Sequence, residues 1–152
     1  MLPPLASPSI THRPPPMNFL YQAHSGLRYL VLLAGLAALV TLAISMSTNR
    51  PSGAAKGLAA AFTGLLDLQV LLGIALVISG VFYGALMGHL VMMVLAVLAA
   101  HGSSVLAKRT PDARKATQMR LMGVAAALLL IVIGILAIGR SVIGSGPMTS
   151  VG

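Results

Sequence analysis

The chain of 152 residues is 57% hydrophobic and only 8% charged, with a mean hydropathy of +0.95 and no cysteine. Soluble domains carry about a quarter charged residues, so this composition indicates a membrane protein. The lack of cysteine excludes disulfides, cysteine-ligated iron–sulfur clusters and covalently attached haem. The net charge of +8 does not indicate nucleic-acid binding, because the basic residues flank apolar segments, where they act as topology signals and contact lipid headgroups.

The apolar runs predict an all-α, polytopic membrane protein with four transmembrane helices. Residues 1–17 form a Pro-rich tail that we expect to be extended or disordered. We expect a transmembrane domain over residues 18–140 and a flexible Gly/Ser tail over residues 141–152. The four spans are predicted at about residues 27–44, 58–79, 86–107 and 121–138. Their connections are short, so we expect an up-down-up-down bundle in which spans 1 and 3 are parallel and diagonal.

The basic residues predict the orientation of the bundle. Seven of them lie in or beside the 1–2 and 3–4 connections, whereas three lie toward the other side. The first set is Arg50, Lys56, Lys108, Arg109, Arg114, Lys115 and Arg120; the second is Arg13, Arg28 and Arg140. Positive residues favour the cytoplasmic side, so both termini are expected outside.

Two histidines are expected at the outer end of the bundle. His24 opens span 1 and His89 opens span 3, so parallel diagonal helices place both at one level. Two facing imidazoles can ligate one haem iron. Gly84 and Gly88 would give clearance for a flat macrocycle, and Arg28 could neutralise a propionate or a lipid phosphate. Alternatively, both imidazoles are interfacial and hydrated, and Arg28 extends to the membrane surface.

A second polar group lies deeper. Asp67 and Gln69 belong to span 2 and His101 to span 3, at depths that allow a carboxylate–imidazole contact. An ionisable residue within a span costs about 2.5–3.5 kcal/mol on insertion scales, so each requires an explanation. The group is either a proton-relay element or an interhelical hydrogen bond that joins spans 2 and 3.

Three segments, HSGLRYLVLL, DLQVLLG and HLVMMVLAVLAAHGSSVLAKR, resemble a family of small bacterial four-helix membrane proteins that is often labelled cytochrome-b-like. The resemblance covers about residues 20–120. The matching positions are His24, Ser25, Gly26, Arg28, Gln69, Gly73, His89 and Met93. It implies a location in the bacterial inner membrane, where the orientation expected from the basic residues places both termini on the periplasmic side. Asp67 stands where the family usually has histidine, which implies at most one haem site here.

Three functions follow as hypotheses. The first is an electron-transfer protein or subunit that holds one haem b, or another tetrapyrrole, between His24 and His89. The second is a cofactor-free accessory subunit of a larger respiratory or photosynthetic membrane complex, with membrane-protein partners. The third is a proton or ion carrier that uses Asp67 and His101. No nucleotide-binding or hydrolase motif is present, so we expect no catalytic activity of the chain on its own.

Overall fold

The computed structural model describes residues 15–142. Four helices account for most of that range: α1 (Pro15–Ser47), α2 (Gly53–Ile78), α3 (Leu86–Arg109) and α4 (Ala113–Ala137). Each is long and apolar enough to cross a membrane. In α1, the part that meets this criterion is Phe19–Ser47. The predicted all-α bundle of four membrane-spanning helices is therefore confirmed.

The first helix begins three residues inside the segment predicted as a non-helical tail. Its first residues are Pro15 and Pro16. A proline is tolerated in the first turn of a helix because the N–H that it lacks would have no partner there. The prediction for residues 1–17 was therefore wrong at Pro15–Met17. The predicted tails at residues 1–14 and 143–152 lie outside the described residues.

Helices α2 and α4 each begin with a side-chain cap. Both helices follow a connection that is rich in basic residues. The Ser52 hydroxyl accepts a hydrogen bond from Ala55 N at 3.3 Å at the start of α2. At the start of α4, the Asp112 carboxylate accepts from Arg114 N at 2.8 Å and from Lys115 N at 3.1 Å. The backbone N–H groups of Lys115 and Arg114 hold the pKa of the Asp112 carboxyl below its usual value.

Helices α2 and α4 end in the same backbone motif, at the opposite end of the bundle. Gly80 and Gly139 follow the two helices with φ of +91° and +67°, the left-handed conformation that favours glycine. In α4, Gly139 N donates to Leu136 O at 2.9 Å and Arg140 N to Ile135 O at 3.4 Å, a Schellman motif. This turn directs Arg140 back over the end of the bundle.

The helices form a ring in which α1 packs extensively on α2, and α3 on α4. The α1–α4 seam is moderately packed, whereas the α2–α3 seam is the loosest of the four. Because consecutive helices alternate in direction, α1 and α3 begin at the same end. Phe62 fills the centre of the bundle with no exposed surface, and Gly35 lets α1 approach its ring.

The two hairpins, α1–α2 and α3–α4, repeat one another. His89 lies as many residues after His24 as Gly134 lies after Gln69. The same shift relates buried positions throughout the bundle. The matching buried pairs are Arg28/Met93, Val31/Ala96, Gly35/Ala100, Leu42/Ala107, Ala59/Val124, Phe62/Ala127, Leu66/Ile131 and Gln69/Gly134. In the register of these positions, the second hairpin thus repeats the first.

Candidate functional site between two histidines

His24 and His89 line one cavity of about 240 Å³ at the end of the bundle where α1 and α3 begin. The two residues occupy equivalent positions of the repeat, one on each hairpin. Most of the wall is aliphatic, with side chains such as Leu66, Met93 and Ile135. The structure therefore brings together the two histidines that the sequence places at one level, in a largely apolar chamber.

Each imidazole is held by a backbone carbonyl of the neighbouring helix in its own hairpin. His89 Nδ1 lies 2.9 Å from Gly134 O, and His24 Nδ1 lies 3.1 Å from Gln69 O. A carbonyl oxygen only accepts hydrogen bonds, so Nδ1 carries the proton in both rings. Nε2 of each ring is then the atom with the lone pair that can bind a metal.

The Gln69 side chain fixes the position of His24. Its Nε2 donates to His24 O at 2.9 Å, and the residue is only 7% exposed. The same nitrogen lies 3.2 Å from Nδ1 and 3.3 Å from Nε2 of the imidazole. An atom almost equidistant from both ring nitrogens lies on neither lone-pair axis. The amide therefore packs against the ring, close to both of its nitrogens.

Two glycines make room for the rings. A Cβ on Gly73 would lie 3.2 Å from His24 Cε1, and one on Gly134 would lie 3.3 Å from His89 Nδ1. The sequence instead suggested Gly84 and Gly88 as the source of clearance. Neither lines the cavity. Gly84 precedes α3 and has open space where its Cβ would be, and Gly88 would make an ordinary contact with Ala137.

Arg28 and Arg140 line the cavity, and each guanidinium lies against a tyrosine ring. Arg28 is 9% exposed; its guanidinium lies 4.7 Å from the Tyr29 ring centroid, and its Nη2 donates to the Tyr29 hydroxyl at 2.8 Å. The Arg140 guanidinium lies 5.4 Å from the Tyr21 ring centroid. Among the described residues that line the cavity, none is acidic. The chamber thus combines apolar walls with positive charge, which suits an apolar ligand that carries anionic groups.

Asp67 and His101 meet at a different place, across the α2–α3 seam. His101 Nε2 lies 2.9 Å and 3.1 Å from the two carboxylate oxygens of Asp67. The Asp67 and His101 side chains are 41% and 50% exposed, so the pair faces out of the bundle. Gln69, which the sequence grouped with this pair, belongs to the cavity instead, because two residues along a helix correspond to a rotation of about 200°.

Within residues 15–142, no three His, Asp or Glu side chains cluster in a way that could hold a metal ion. Of the described His, Asp and Glu side chains, His24 and His89 are the two that line the cavity. No protein-family model matches the chain, and neither a curated protein nor a solved structure similar to it is found. The resemblance to cytochrome-b-like proteins stays a prediction from the three segments that carry it.

Proposed function

We propose that this protein binds a haem-type tetrapyrrole between His24 and His89 and transfers electrons in a membrane. The observation that carries the proposal is the pair of imidazoles in one cavity, each with Nδ1 bonded to a backbone carbonyl. His24 and His89, one from each hairpin, would hold the group through their Nε2 atoms. A haem held there would supply one-electron redox chemistry.

The side chains that line the cavity have the chemistry that a haem-type group would require. Imidazole nitrogens are common haem ligands, and a backbone acceptor on Nδ1 raises the basicity of Nε2. Gly73 and Gly134 hold the rings close to α2 and α4, which keeps the space between the hairpins free. Arg28 and Arg140 would hold two carboxylates, and the aliphatic walls would exclude water.

The test is an absorption spectrum of the full chain purified from haem-replete cells. We expect a Soret band in the wild type, and its loss in His24→Ala and in His89→Ala. His101→Ala is the matched control, because it removes a histidine of the same bundle that lies outside the cavity. A folded wild-type protein that stays colourless after addition of haem would refute the proposal, as would equal loss of the band in all three variants.

We also propose that the membrane is the bacterial inner membrane, with the His24 and His89 end on the periplasmic side. Its support is the excess of basic residues in and beside the two connections at the other end. The chain has no cysteine, so single cysteines can report sidedness. A cysteine at Tyr83 should react with an impermeant thiol reagent in intact cells, and one at Thr110 should not. The reverse result would contradict this orientation.

A further inference from the structure

The Asp67–His101 pair breaks the symmetry of the repeat. The positions equivalent to Asp67 and His101 are Val132 and Leu36, so the α1–α4 seam has apolar residues where the α2–α3 seam has the pair. The α2–α3 seam is also the more loosely packed of the two. One side of the bundle is therefore polar and open, while its counterpart is apolar and closed.

The pair lies within the membrane-spanning helices and faces out of the bundle. Asp67 lies near the middle of α2, and both side chains are about half exposed. Ionisable residues within spans almost always face protein or a water-filled cavity, because their exposure to hydrocarbon is costly. In the isolated bundle they face outward. This exposure therefore favours a protein partner on this side of α2 and α3.

The surface around Asp67 permits close approach of another helix. Ala60 and Gly64 precede Asp67 on the same stripe of α2, and both are exposed. A Cβ on Gly64 would meet nothing within 4 Å. Small exposed residues beside a polar group are typical of helix–helix interfaces in membranes. On α3, the same face carries Val94 and Leu98, which are 56% and 62% exposed.

We propose that a second copy of this chain covers the α2–α3 seam, related by a two-fold axis along the membrane normal. Charge complementarity identifies the occupant. A two-fold rotation places α3 of one copy opposite α2 of the other, so that Asp67 of each copy faces His101 of its counterpart. The four groups then alternate acid and base around the axis, and a second copy of this chain supplies both an acid and a base at the required level. This inference does not depend on a cofactor.

The dimer would also close the wall of the cavity. Ile74 on α2 and Val94 on α3 both line the cavity, and they are 46% and 56% exposed on the α2–α3 side. A second copy seated on this seam covers both side chains. The interface of the two copies is thus continuous with the chamber that holds His24 and His89.

The test measures dimerisation of the fluorescently labelled full chain in phospholipid vesicles, by counting photobleaching steps at decreasing protein-to-lipid ratios. We expect wild-type dimers that dissociate on dilution. Ala60→Leu should weaken the dimer, whereas Ala126→Leu, the same change at an exposed position of α4, should not. A wild-type protein that stays monomeric at all ratios, or equal weakening by both variants, would overturn the proposal.

A second measurement exchanges the acid and the base of the pair and follows self-association of the variants. Asp67→His and His101→Asp should each weaken self-association by about 3- to 20-fold for each interhelical hydrogen bond that the substitution removes. When the two variants are mixed with different labels, every histidine again faces an aspartate, and mixed dimers should form at close to wild-type affinity. Mixed dimers no more abundant than either self-pair would show that the pair acts only within one chain. Circular dichroism checks that each variant is helical.

Discussion

Gly134→Ala tests whether α3 and α4 meet as closely as the site requires. A Cβ at this position would lie 2.9 Å from Met93 Cε, 3.0 Å from Met92 Cβ and 3.3 Å from His89 Nδ1. The end of a methionine side chain can rotate away. The Cβ of Met92 is fixed to the backbone, so α3 itself must move. That movement lengthens the 2.9 Å hydrogen bond between His89 Nδ1 and Gly134 O.

Overpacking of this kind costs about 1–3 kcal/mol in the free energy of unfolding. Alanine also gains about 1 kcal/mol over glycine through helix propensity, which would hide part of the loss. Gly26→Ala isolates that gain, because Gly26 is helical and a Cβ there meets nothing within 4 Å. The difference between the two variants should therefore be the packing cost, about 1–3 kcal/mol in favour of Gly26→Ala.

The assay is reversible unfolding in mixed micelles with increasing sodium dodecyl sulfate, followed by circular dichroism. Gly73→Ala should fall between the other two variants, since its Cβ meets only the imidazole of His24, at 3.2 Å from Cε1. Equal unfolding free energies for Gly134→Ala and Gly26→Ala would refute the close approach of α3 and α4. They would also remove the reason for a glycine beside His89.

Three further changes test the packing and the caps. Phe62→Ala should lower the free energy of unfolding by about 3–5 kcal/mol, because its ring is fully buried, whereas Phe82→Ala, at a position 57% exposed, should have little effect; similar losses would contradict the central position of the Phe62 ring. Ser45→Ala removes a buried 2.6 Å hydrogen bond to a loop carbonyl and should cost about 1 kcal/mol in the same assay, against almost nothing for the exposed Ser47→Ala. Asp112→Ala should lower the melting temperature at neutral pH. The pKa of the Asp112 carboxyl is lowered in the folded protein, so the charged carboxylate stabilises the fold at pH values above the pKa of the unfolded chain, and this contribution is lost as the pH falls through the folded-state pKa. The difference in melting temperature between Asp112→Ala and wild type should therefore vanish in acid. A constant difference at all pH values would refute a charged cap.

The sequence was sufficient to predict the four membrane-spanning helices, because each apolar run is longer than a helix in the core of a soluble protein requires. It placed the start of α1 too late, since Pro15 and Pro16 usually indicate a helix break although they are acceptable in a first turn. The common level of His24 and His89 followed from helix direction alone.

The partners of the histidines could not be predicted in the same way. The Gly134 and Gln69 carbonyls each lie 45 residues along the chain from the histidine they bind, and their proximity depends on how two helices cross. Arg140 was missed as a cavity residue because a Schellman turn, rather than helix periodicity, determines its direction. The depth of Asp67 and His101 allowed their contact to be expected, but their outward orientation depends on the rotation of α2 and α3.

The repeat of the two hairpins has a mechanical consequence. Each hairpin orients its own histidine by a hydrogen bond that does not involve the other hairpin. The halves can therefore separate slightly without disturbing either ring. A molecule bound by both rings would link the two hairpins. Its dissociation would weaken the contact between the hairpins, while the structure within each hairpin stayed the same.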